Sequence, residues 1–515
     1  MAPKSKTAKS SSKKRNIDIG HKTQDDEDLL TSKSVNLPSS SAWSTRTLPL
    51  THVLPLSTLC LKTFSVNLQK IHSSGNWQAQ VEWLKLLPDS VIPRLFATLR
   101  QTCPSILSSN FITAYLLRGP SVTLTDDLPG VNKNTVAAII RSGEHLKELV
   151  LRGLDKIPDE NFASVIAQLP VLQVLVLSGC TKVGSKTVAA ISQRCPNLTK
   201  LNLNYTSATP ISLAPVLKLC AHLNTLKLAG ISNWTEATIG KLWAALGDDT
   251  EGDTFYLPNL TNINLRQLSI SDFDVNQVLT RCPNIQKLDL SFTPIHHPPL
   301  LLTPHPNLEK LSLTSTQISS ADIISILTGL PNLKSLSAGA IGGGQGSSVA
   351  ISNTSAMTLT DQTLREITDI LVEYNQLESV SLVGNTKLGS VGRIDRAFED
   401  FVKRVGRKCK HLNLAGISSL KSSDLSGLLI DDIELEPSKL QELVLNNTGV
   451  NDEVAPYISA CPNLQTLELG STKISEEGLF TIIDSCSQLS RLNLTSCRGV
   501  GVVDRRRFFE VWEER

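Results

Sequence analysis

The sequence predicts an α/β solenoid of horseshoe form, with a parallel sheet on the concave side and helices on the convex side, and three observations predict it. A short motif, LxxLxL, recurs from Leu146 onward. Regular neighbours stand about 23 to 26 residues apart, the length of one stacked strand-and-helix unit. The segment after each copy carries residues at helical spacing, as in Thr187, Val188, Ala190 and Ile191. In LxL the leucines point inward and the alternate residues outward, which is a short strand; the following segment is a turn and a helix. No single unit closes a core, so neighbours must stack, and helices are wider than strands, so the stack bends.

Strong copies begin at Leu146, Leu172, Leu198, Leu223, Leu260, Ile285, Leu308, Leu440, Leu464 and Leu489, weaker ones at Leu333, Leu377 and Cys409. They make about thirteen units over residues 146–500. Two units are stretched, by residues 247–253 and by the glycine-rich 342–348, and both read as surface loops. The glycine run has no following Lys and does not match GxGxxG, so it is not a phosphate cradle.

Five of the ten cysteines follow the same period. Cys195-Pro196-Asn197-Leu198, Cys282-Pro283-Asn284-Ile285 and Cys461-Pro462-Asn463-Leu464 each place a thiol at a helix end, with Cys220 and Cys486 in the equivalent slot and Leu330 replacing it once. Interchange with leucine marks a small apolar packing site, and the proline ends the helix. There is no CxxC pair, so neither zinc nor a redox couple is implied.

This pattern resembles the cysteine-containing, ribonuclease-inhibitor-like branch of the leucine-rich-repeat family over residues 146–500. The resemblance implies that the concave face binds a target protein. Many members are substrate receptors of ubiquitin ligases and others are not. The outward strand positions that would meet a partner include Arg152, Lys200, Asn202, Asn204, Lys227, Asn264, Arg266, Asp289 and Lys310, a polar row of mixed sign.

At 515 residues the chain exceeds one ordinary core. Hydrophobic residues are 40% but aromatics only 4% and methionines two, so the interior must be Leu, Ile and Val. A net charge of +2 gives no field that demands nucleic acid or an acidic membrane. No run of eighteen apolar residues and no apolar leader occur, which reads as an intracellular protein, nuclear or cytoplasmic, whose Asn-x-Ser/Thr sequons stay unused. Residues 1–47 are rich in Ser, Thr and Lys and read as a disordered tail. Its cluster Lys4, Lys6, Lys9, Lys13, Lys14 and Arg15 suits either nuclear import or a solvated tail.

Residues 48–145 are folded-looking but not repetitive, and a solenoid end needs a cap. Within them Pro55-Leu56-Ser57-Thr58-Leu59-Cys60-Leu61-Lys62-Thr63-Phe64 is similar to the BC-box of SOCS-box and VHL-box proteins, which docks a helix on Elongin C. Leu56, Cys60 and Phe64 lie at i, i+4 and i+8, along one helical face. Leu87-Pro88, followed by Val91, Ile92, Leu95, Phe96 and Leu99, is similar to the second half of that module, which completes the adaptor contact and touches the cullin. Two departures stand out: Phe64 replaces the usual aliphatic residue, and Pro93 falls in the second helix. A plain cap and a divergent F-box remain alternatives.

No catalytic or cofactor motif is present: there is no GxSxG and no HExxH. His296, His297 and His305 cluster in a Pro-rich loop without nearby Cys or acidic residues in the sequence, so no metal is expected. In residues 501–515, Arg505-Arg506-Arg507-Phe508-Phe509-Glu510-Val511-Trp512 suits a terminal cap better than a nucleic-acid contact. The expectation is therefore a non-enzymatic, cofactor-free substrate receptor of a cullin-type ligase. The competing expectation is a ligase-independent scaffold, for example a regulator of a small GTPase.

Overall fold

The motif leucines fill the interior. Leu149 and Leu151, Leu201 and Leu203, Leu311 and Leu313, and Leu467 and Leu469 are almost wholly buried, while the residues between them face the opposite side of each strand. A computed structural model describes residues 43–45, 55–73, 77, 81–143, 145–247, 255–342, 359–389, 396–429 and 436–501. Fifteen strands form one sheet. From Ser121–Thr125 to Arg491–Asn493 the strands are parallel and in chain order, leucine beside leucine: Leu288 pairs with Leu311, and Leu311 with Leu336. Helices such as Ser185–Arg194, Asp272–Arg281 and Glu476–Ser485 connect them.

The parallel array starts one unit earlier than the motif indicates. Ser121–Thr125 pairs along its whole length with Glu148–Arg152, and its Val122 and Leu124 are buried. Gly119 stands where this unit's first leucine would be. Its backbone has φ 95°, and a Cβ there would come within 2.5 Å of the Asp89 carbonyl oxygen. Close approach of backbone to backbone has replaced the apolar plug, which hides the unit from a leucine search.

Before that strand come α1 (Leu56–His72), a 3-10 turn (Glu82–Leu86) and α2 (Ile92–Thr102). Arg94 donates to Thr58 Oγ1 at 2.7 Å, and the Cys103 thiol donates to the Ser65 carbonyl at 3.7 Å, so the two helices lie side by side in the same direction. Pro93 does not interrupt α2 as expected; it sits in the first turn, where no intrahelical N–H is needed.

Trp43–Thr45, inside the segment read from sequence as a disordered tail, is a strand paired antiparallel with Arg491–Asn493. The rest of residues 1–47, the bulk of both stretched loops, and the expected terminal cap from Arg505 to Trp512 lie outside the described residues.

A second period is conformational. After each strand from Glu148–Arg152 onward one residue takes a left-handed backbone: Gly153, Gly179, Tyr205, Gly230, Gln267, Phe292, Ser315, Ala340, Gly384, Gly416, Asn447, Ser471 and Ser496. Polar side chains brace the strand ends. Thr206, Thr293, Thr316, Thr448 and Thr472 each donate a hydroxyl to the carbonyl three residues back. Cys180 and Cys497 occupy the same turn slot, a second placement for thiols beyond the helix ends. The first stretched loop is anchored by buried Arg281, which donates to the carbonyls of Gly247 at 2.9 Å and Phe255 at 3.3 Å, on either side of the insertion.

Two stability predictions follow from these devices. Gly416→Ala, at φ 74°, should cost about 1 kcal/mol, whereas Ser315→Gly, at φ 56°, should stay within about 0.5 kcal/mol of the parent. Urea unfolding measures both, and equal losses would mean that the turn tolerates any backbone. Arg281→Ala uncovers two carbonyls inside the array and should cost about 3 kcal/mol in the same assay; retained stability would remove that anchoring role.

Candidate protein-binding surfaces

The concave face is a lattice of outward strand positions, two on each three-residue strand, fixed by the register of the sheet. The nine residues predicted there divide by what their side chains already do. Asn202 Oδ1 accepts the Asn204 N–H at 3.0 Å, Asn264 Oδ1 the Arg266 N–H at 2.9 Å, and Asp289 Oδ1 the Ser291 N–H at 3.0 Å. Asn413 and Asn493 repeat the bond in later units, with Ala415 and Thr495. The last residue of the strand thus shapes the turn that follows it. Asn204 Oδ1 accepts the Ala229 N–H of the next unit at 2.8 Å.

The other five candidates, Arg152, Lys200, Lys227, Arg266 and Lys310, are all cations. Lys227 is buried within the face, whereas the other four are partly exposed. Lys287, also partly exposed and directly beside Lys310 in the register, belongs with them but was not singled out from the sequence. Farther along, Ser312, Ser335, Ser337, Ser379 and Ser381 form a small, neutral stretch. The last units carry Glu442, whose carboxylate lies 3.1 Å from His411 Nδ1, and Glu468. Burial pushes the Glu468 carboxyl up, against hydrogen bonds from Asn446 and Asn493 that pull it down.

The second surface is α1 with the turn after it. Five of the eleven large hydrophobic side chains exposed among the described residues gather here: Leu56 (76%), Leu59 (41%), Val66 (65%), Trp83 (70%) and Leu86 (75%). Cys60 is exposed beside them. Phe64 departs from the expected common face: it is half-buried and packs into the core, because eight residues at 3.6 per turn drift about 80° around the helix. Leu87 likewise packs inward while Pro88 is exposed, and the leucine standing in solvent is Leu86.

The remaining candidates resolve into structure. His297 Nδ1 lies 3.0 Å from Asp322, and Asp272 accepts the backbone N–H groups of His296 and His297, so acidic partners absent from the local sequence arrive from neighbouring units. His305 Nε2 lies 2.7 Å from the Leu300 carbonyl. Among the described residues no group of three or more His, Cys, Asp and Glu could hold a metal ion, and no helix is long and apolar enough to cross a membrane.

The helix-end thiols bind the carbonyls that helix termini leave open: Cys220 Sγ lies 3.5 Å from the Cys195 carbonyl, and Cys486 Sγ 3.8 Å from that of Cys461. Burial pushes Cys195, Cys282 and Cys486 up to about 12, and Cys220 and Cys461 to about 11. Iodoacetamide on the native protein should therefore modify Cys60 and spare the nine buried thiols, all ten reacting once the chain is unfolded. Mass mapping reads the sites, and native labelling at Cys195 or Cys461 would contradict the packing role.

Comparison with known proteins agrees with this geometry. A family model described as Leucine Rich repeat matches residues 460–482, while no curated protein matches the sequence. Among solved structures, the crystal structure of the yeast Rad7 and Elc1 complex is similar at 18% identity and a TM-score of 0.51, over 83% of this chain and 96% of the matched one. An internalin from Listeria monocytogenes is 16% identical, with a TM-score of 0.37 over 72% of this chain and 85% of its own. A Leptospira interrogans leucine-rich-repeat protein is 19% identical, with a TM-score of 0.36 over 75% and 92%. The repeating strands, their parallel register and the likeness to the yeast structure establish the leucine-rich-repeat horseshoe as the fold of the chain.

Proposed function

We propose that the chain is a non-catalytic substrate-binding subunit of a cullin-type ubiquitin ligase, holding a target protein on its concave face and an Elongin C-type adaptor on α1. The observation that carries this reading is the exposure of Leu56, Leu59 and Cys60 on α1 and of Trp83 and Leu86 in the turn after it. A helix that only capped the solenoid would turn its large apolar groups inward, as Leu68 does. Support also comes from the yeast neighbour, which is solved with a partner, Elc1. The mechanism is positioning: the array raises the effective concentration of the target beside a ubiquitin-charged partner and makes no bond itself. Residence in the nucleus or cytoplasm is part of the same proposal.

A second reading, a ligase-independent scaffold with α1 as a lid, is favoured by one observation, the packing of Phe64 into the core.

Purified Elongin C and the full-length chain distinguish the two. Co-elution on size exclusion is expected for the parent protein and should be lost in Leu56→Asp with Cys60→Asp. Their exposure lets both changes leave the fold intact, with stability within about 0.5 kcal/mol. Absence of a complex with the parent, or a complex that survives the double substitution, overturns the adaptor role.

A further inference from the structure

We infer that the cleft between the end of α1 and the π-helical turn Ile112–Leu116 is a second peptide-binding site, and that it takes a proline-rich segment of a partner protein in the polyproline II conformation. The site goes beyond the receptor reading and does not rest on it, since none of the exposed residues offered to the adaptor lines this cleft.

The cleft is built from short segments that the chain brings together ahead of the parallel array. α1 ends on His72, Trp77 follows it, and the short helix Ser109–Phe111 runs on into the π-helical turn. Its volume of about 410 Å³ lies in the range of ligand sites. Val81, Ile106 and Phe111 are buried and make its floor, whereas Trp77 and Tyr115 are partly exposed. Aromatic rings follow one another along it. His72 stands edge-on to Trp77 with ring centres 4.6 Å apart, Trp77 stacks on Phe111 at 5.9 Å, and Phe111 meets Tyr115 at 5.3 Å. A π-helical turn is rare in proteins and is frequent at functional sites. Here it carries Tyr115 beside Phe111.

The hydrogen-bonding groups of the cleft decide the class of ligand. Its carboxylate is already used: Glu82 accepts the Tyr115 hydroxyl at 3.0 Å and pairs with Lys85 at 2.5 Å. Ser108 Oγ accepts the Phe111 N–H at 3.3 Å. The Trp77 indole N–H and the Asn110 amide, in contrast, have no hydrogen-bond partner among the described residues. The cleft is therefore balanced in charge, with its carboxylate occupied and donors open.

A polyproline II segment complements that arrangement. Each proline has a carbonyl to accept and no N–H to donate, so the segment asks for donors and brings no unmet donor of its own. It is uncharged, its carbonyls make no internal hydrogen bonds, and its shape is set before it docks on aromatic walls. The spacing agrees. Trp77 and Tyr115 lie 5.9 and 5.3 Å from Phe111 and so at most about 11 Å from one another, and prolines one turn apart are separated by about 9 Å. A cationic side chain fits less well, because Lys85 already stands 5.7 Å from the centre of the Tyr115 ring and holds the carboxylate that would receive it.

Fluorescence polarisation of fluorescein-labelled decaproline with the full-length chain tests the site, with a labelled trimethyllysine peptide as the competing probe. Trp77→Ala should weaken decaproline binding by about ten-fold or more. Trp77→Phe keeps a ring but removes the N–H, and should weaken it by about three-fold. Asn110→Ala, at an exposed position that leaves the fold intact, should also weaken it by about three-fold and serves should the loss of Trp77 disturb the segment. Glu82→Gln should change it by less than about two-fold, because the carboxylate is turned to Tyr115 and Lys85 rather than to the peptide. No decaproline binding, binding that Trp77→Phe and Asn110→Ala both leave unchanged, or tighter binding of the methylated peptide that Glu82→Gln abolishes, overturns the proposal.

Discussion

Leu311 is buried because Leu288 and Leu336 lie beside it in register, and every inward leucine of the array depends on its neighbours in the same way. The polar groups obey the same dependence. Asp159 accepts the N–H groups of Gly184 and Lys186 at the start of the next unit's helix, Asp452 accepts that of Ser475, and the Cys220 thiol reaches back to the Cys195 carbonyl. A unit alone would expose its leucines and leave its helix ends unpaired, so apolar and polar bookkeeping both close across the boundary between units rather than within them.

That dependence makes the two ends of the sheet the difficult places. At the first, Gly119 trades a leucine for close backbone packing against Asp89, with α1 and α2 preceding the first parallel strand. At the other, Trp43–Thr45 pairs antiparallel with Arg491–Asn493 and covers the last parallel strand, becoming the end strand itself. About ten residue steps separate Thr45 from Pro55, a reach of at most about 36 Å. The last strand and the start of α1 must therefore lie within that distance, and the chain itself limits how far the horseshoe can open.

The repeats were legible because one apolar period dominates them, and the thiols because they share it. What escaped the sequence was set by partners distant in the chain. Phe64 faces inward because eight residues of helix turn it about 80° from Leu56, onto the side of α1 that packs on the core. Asp272 and Asp322 reach His296 and His297 from adjacent units, so the histidine loop has acidic neighbours that a local reading does not show. Pro93 reads as a helix breaker until its place in the first turn is known.

The concave face shows why function is harder to read than fold in such an array. A position between two inward leucines faces a partner by construction, yet its side chain is also the nearest group to the turn that follows. Asn202, Asn264 and Asp289 are drawn into that turn by the unpaired N–H two residues on. Lysine and arginine have no acceptor to offer that N–H, so at the same positions they serve the turn in no such way. Short Asx side chains on this face are therefore committed to the turn, which leaves fewer outward positions to a partner than the polar row of the sequence indicates.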